Sequence, residues 1–92
     1  MIKAAYDDFF KKISSQFSED QFVVSLMEDA EELAKYGERR IALENFLENI
    51  LSSGVIIPIE TISLAKKAFS DSPNDYDIEL IEELQNLIKK NQ

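Results

Sequence analysis

The chain of 92 residues contains no cysteine, no histidine and no tryptophan, and only two glycines and two prolines. Without cysteine there is no disulfide, zinc-finger or iron–sulfur chemistry, and no thiol nucleophile. Without histidine the usual general base, the Ser–His relay and the commonest metal ligand are missing. Long apolar runs are missing as well. The longest, Val55-Ile56-Ile57 followed by Pro58-Ile59, is far below the ~20 residues a membrane span needs. The opening Met1-Ile2-Lys3-Ala4-Ala5-Tyr6-Asp7-Asp8 puts two carboxylates where a signal peptide has its apolar region. The expectation is a cytoplasmic protein that needs no cofactor and no metal.

Positive charge is scarce: 18 acidic residues stand against 10 basic ones, a net charge of −8. Nucleic acids and anionic membranes are poor partners for such a chain, because their affinity rests on Lys and Arg. Each half of the sequence carries −4, so no charged tail is attached to a neutral body. What is present is a globular share of apolar residues, 45%, in a length that suits one domain. A chain of this size buries roughly 60–70% of its unfolded surface, enough for one modest core.

The apolar residues recur with a helical period almost throughout. A first helix, about Ile2 to Ser15, carries Ile2, Ala5, Tyr6, Phe9, Phe10 and Ile13 on one side. Ser18-Glu19-Asp20-Gln21 reads as a capping box for a second helix ending near Tyr36, with Gly37 as its left-handed stop. Its central stripe is Phe22, Leu26, Ala30 and Leu33. A third helix, about Glu38 to Ser53, buries Leu43, Phe46, Leu47, Ile50 and Leu51 and stops at Gly54. Val55-Ile56-Ile57 reads as a buried connector into a fourth helix, with Pro58 in the first turn and Ile59, Ile62, Ala65 and Phe69 buried. Ser70 to Asn74 is turn chemistry, and a fifth helix from about Asp75 to Lys90 buries Ile78, Ile81, Leu84 and Ile88. The expected fold is an all-α single-domain bundle of five helices.

Tests for catalytic and metal chemistry fail on residue inventory or on register. A di-iron bundle needs His. A calcium loop starting at Asp71 would place Pro73 at its third position, and one starting at Asp75 would place Leu80 where Gly is required. Carboxylate pairs for glycoside hydrolysis arise by chance among so many exposed acids. The expectation is a protein that is not an enzyme. The basic doublets Lys11-Lys12, Arg39-Arg40, Lys66-Lys67 and Lys89-Lys90 fall on different helices. They read as solvated surface with i,i+4 partners such as Arg40–Glu44 and Glu31–Lys35.

Two windows are one-signed. Residues 19–32 and 71–83 hold several acids each and no base. Helix starts favour acids, which accounts for Glu19, Asp20, Asp75 and Asp77. That effect fades after one turn, whereas Glu28–Glu32 and Glu79–Glu83 are like-charge i,i+4 pairs, each costing roughly 0.2–0.5 kcal/mol. Glu28, Glu31 and Glu32 share the second helix's outer side, and Glu79, Glu82 and Glu83 that of the last. On the third helix Ile41 lies outside the apolar stripe beside Glu44, Asn45 and Glu48, the pattern of a small apolar anchor ringed by acids. The residues expected to contact a basic protein partner are Glu28, Glu31, Glu32, Ile41, Glu44, Glu48, Asp77, Glu79, Glu82 and Glu83. A homodimer contact through Ile41, Val24 or Leu64 stays open.

The stretch Leu33-Ala34-Lys35-Tyr36-Gly37-Glu38, continuing through Ile41-Ala42-Leu43-Glu44-Asn45-Phe46-Leu47-Glu48-Asn49-Ile50, resembles small bacterial immunity proteins. These are the antitoxins of Maf-type and contact-dependent growth inhibition systems. Ile57-Pro58-Ile59 matches the turn into the next helix of that group, and the likeness spans about residues 30–70. Phe46 stands where that group carries Leu. The resemblance implies a small all-α protein made by the toxin's producer, which binds the toxin's C-terminal domain, often a basic nuclease, and blocks it. The other reading is a structural or regulatory helical module that self-associates or binds another protein.

Overall fold

Gly37 and Gly54 divide the middle of the chain as their backbone freedom allows. Both adopt positive φ, 78° and 76°, which L side chains rarely tolerate. Helices end at or just before them, and the apolar stripes on either side fold into separate elements. The computed structural model describes residues 1–91 and holds five helices: α1 (Lys3–Gln16), α2 (Gln21–Lys35), α3 (Arg39–Ser53), α4 (Ile59–Phe69) and α5 (Asp75–Lys90). Among the described residues there is no strand, so the fold is the expected all-α bundle. The radius of gyration, 12.1 Å, equals the ~12 Å of one folded domain of this length.

Packing runs around the bundle in the order α1, α4, α5, α3, α2, and a thin seam returns α2 to α1. α1 and α4 are antiparallel: the Ile2 amide donates to the Ala68 carbonyl at one end, and Thr61 Oγ1 donates to Gln16 Oε1 at the other. α2 and α3 form a hairpin across Gly37. α3 and α5 run side by side in the same sense, joined at their N-terminal ends by Arg40 and Asp77. This last pairing positions the candidate site.

The core is apolar and continuous. Phe9, Ile13, Leu43, Phe46, Leu47, Ile50, Ile57 and Ile62 are buried at its centre. Phe46 meets Phe9 and Phe10 of α1 edge-on, with ring centroids 5.7 and 5.1 Å apart. Such tilted pairs match the positive ring edge to the negative face. The phenyl group of Phe46 therefore ties α3 to α1 across the bundle.

Four sequence expectations change. The cap of α2 is Asp20, whose carboxylate accepts from the Val23 amide at 3.1 Å, and the helix begins at Gln21. Ser18 is exposed in the preceding turn. Replacing Asp20 with Ala is expected to cost about 1 kcal/mol, the ordinary value of an N-cap. Ser18→Ala should be neutral, and chemical denaturation of the two variants checks the assignment. Phe22, Ile59 and Ile78, expected in the core, are 45%, 38% and 45% exposed. Each lies near the start of its helix. Pro58 stands just before α4 as its N-cap rather than within it. Within the connector Ile57 is buried, while Ile56 is exposed and Val55 half-buried.

Candidate functional site

The first turn of α3 carries Arg39 and Arg40 and no acid. Cations are unfavourable at the positive end of a helix dipole, so a charge there needs a partner from elsewhere. Arg40 finds it on α5. Its Nη1 donates to Oδ2 of Asp77, and its Nη2 donates to the carbonyl of Ser72 at 2.6 Å and to the Ser72 hydroxyl at 2.7 Å. The guanidinium also lies 5.3 Å from the ring centroid of Phe69, within cation–π range. One side chain of α3 thereby fastens α5, the end of α4 and the turn between them.

Asp77 is held from several sides. Its amide donates to the Asn74 side chain, the N-cap of α5, at 2.8 Å. Its carboxylate is 1% exposed, a depth at which an ionised group requires a charged or hydrogen-bonded partner. This corrects the expectation that Asp77 is a surface contact: it belongs to the interior and is spoken for by Arg40. The expected Arg40–Glu44 pair is corrected with it, since the guanidinium is directed across to α5. The doublet Arg39-Arg40 is accordingly not plain solvated surface.

Glu44, one turn beyond Arg40 on α3, is half-buried against Asp77. Burial first, then the nearness and charge of the Asp77 carboxyl and the charge of Glu48, push its carboxyl up to about 7; Arg40 opposes them. Most other candidate contact residues are exposed. Glu28, Glu31 and Glu32 lie on α2, Glu48 on α3, and Glu79, Glu82 and Glu83 on α5, all open to solvent. Ile41 is 44% exposed, outside the core as its position implies. Among the described residues four ion pairs form, and of these candidate acids only Glu32, with Lys35 at 3.8 Å, and Asp77 take part.

The acids do not form one patch. α3 lies between the two acidic helices, and its outer side carries Ile41, Glu44 and Glu48. Glu31 faces the groove between α1 and α2 with Tyr6, Phe10 and Arg39. Glu83 borders the shallow hollow between α3 and α5 with Leu51 and Leu87. Glu82 sits on the rim of a groove of about 260 Å³ between α4 and α5, whose walls are Phe69, Pro73, Ile78 and Ile81. The anchor Ile41 and the exposed Glu48 belong to α3, and Glu79 and Glu83 to α5, which packs beside it.

Among the described residues no group of three or more potential ligands is arranged to hold a metal ion. No described helix is long and apolar enough to cross a membrane. Sequence reasoning missed Arg40, Ser72 and Phe69. The signal that could have found Arg40 is an arginine doublet at the wrong end of a helix dipole with no acid in its own turn. Comparison with protein families, with curated proteins and with solved structures gave no match.

Proposed function

We propose that this protein is an immunity protein: it holds a basic toxin domain, of the nuclease type, and neutralises it by non-catalytic association. The observation that carries this reading is the set of exposed carboxylates on α5, Glu79, Glu82 and Glu83, none of which has a cation within salt-bridge distance among the described residues. A helix face selected for stability alone would intersperse Lys, because like charges at i,i+4 oppose helix formation. The repetition is useful where a partner supplies the missing positive charge. A nuclease does, since its active site must hold phosphates. The resemblance of residues 30–70 to immunity proteins points the same way, and Ile41 offers an apolar anchor beside the acids.

The test is protection in cells. Co-expression with the C-terminal domain of the toxin encoded directly upstream of this gene should restore growth that the toxin domain alone arrests. A toxin domain that stays lethal beside a well-expressed copy of this protein contradicts the proposal, as does an upstream gene that encodes no toxin.

A further inference from the structure

Asp77 presents two buried carboxylate oxygens to two different neighbours. Oδ2 accepts from Arg40, while Oδ1 meets no hydrogen-bond donor among the described residues. A buried acceptor left bare is costly, and in native proteins nearly all such groups find a partner. The polar group within reach of Asp77 is the Glu44 carboxyl from the facing side of α3. A carboxylate has no hydrogen to give, but a carboxylic acid has one. We propose that Glu44 and Asp77 share a single proton, and that this proton latches α3 to α5.

The charges around the pair set its behaviour. From α3, Arg40 favours an ionised Glu44 and Glu48 disfavours it; from α5, Asp77 disfavours it. From the turn before α5, Ser72 brings a carbonyl and a hydroxyl, both occupied by Arg40, and from α4 Phe69 brings an uncharged ring. With the proton present, one carboxylate faces one guanidinium and every oxygen of Asp77 is satisfied. Once it leaves, two carboxylates compete for that guanidinium, and Oδ1 is bare.

The direction with pH follows from linkage. Glu44 titrates at about 7 in the folded protein against 4.5 for an ordinary Glu. Between these values the folded state binds a proton that the opened or unfolded state has lost. Stability therefore falls as pH rises across that window and levels off above it. No histidine titrates over the same range.

Nuclear magnetic resonance on the full chain tests the latch. The side-chain carboxyl carbon of Glu44 should titrate with a midpoint near 7. Amide exchange in the first turns of α5, corrected for intrinsic chemistry, should show opening about tenfold more frequent at pH 7.5 than at pH 6, the ratio that linkage gives for this shift. In Glu44→Gln, whose amide can donate to Asp77 at any pH, the two values should coincide. A Glu44 carboxyl that titrates in the ordinary range near 4.5 overturns the proposal. So does a pH-dependent opening that persists unchanged in Glu44→Gln.

Discussion

Replacing Arg40 with Met is expected to destabilise the protein by about 3–5 kcal/mol, because the substitution strands a buried carboxylate. Asp77 is 1% exposed and receives its charged hydrogen bond from Arg40 alone. The same change frees the Ser72 carbonyl and hydroxyl and removes the cation from the Phe69 ring. A domain of this size has only about 5–15 kcal/mol of stability in total. The loss should lower the melting temperature by roughly 12 °C or more. The double variant Arg40→Met with Asp77→Leu should recover most of it, since apolar residues can replace a buried ion pair at little cost. Arg40→Lys keeps the charge but not the fork that reaches Asp77 and Ser72 together, and should fall between. Urea denaturation of the three variants separates these outcomes. A single Arg40→Met costing less than about 1 kcal/mol, the worth of an exposed pair, would show that the cluster contributes no more than a surface contact.

Reversing Glu79, Glu82 and Glu83 to Lys together should slow association with the toxin domain roughly 10- to 100-fold at low salt. The three carboxylates are exposed and form no ion pair among the described residues, so their main action on a basic partner is through the long-range field rather than a buried contact. The difference should shrink at about 0.5 M salt, where screening acts within a few ångström. Dissociation should change less. The fold should tolerate the change, because the three positions are exposed and the reversal exchanges one like-charge i,i+4 pair for another. Glu28→Lys with Glu32→Lys provides the comparison on the far side of α3. Association rates unchanged in both sets would exclude these acids from docking.

The helical fold was legible because its determinants are local. Apolar residues at helical spacing and two glycines at left-handed stops each act within a few positions of themselves. Gly37 and Gly54 end their helices as read from the sequence. Burial was legible for most of the middle of each helix and poor at the starts; Leu51, assigned to the core, is half-buried, and Leu80, left out of it, is buried. On α5 the stripe was assigned to Ile78, yet the central position is taken by Asp77, turned inward by a partner 37 residues away. An aspartate in a first turn is fully accounted for by the helix dipole, so nothing near it in the chain announces an ion pair. Arg40 was hidden in the same way, behind a nearby Glu44 at a plausible i,i+4 spacing. The exposed acids were legible as a charge pattern, but their division among separate faces depends on which helices neighbour one another. That order is fixed by the packing of α3 between α2 and α5.

The proposed role makes one quantitative demand, that inhibition is stoichiometric. Purified protein should be titrated against a fixed amount of the toxin domain while the toxin's activity is followed. The account predicts a linear fall to zero at one equivalent, with a complex of that composition in size exclusion. Full activity at a large excess, or complete loss at a small fraction of an equivalent, would contradict it.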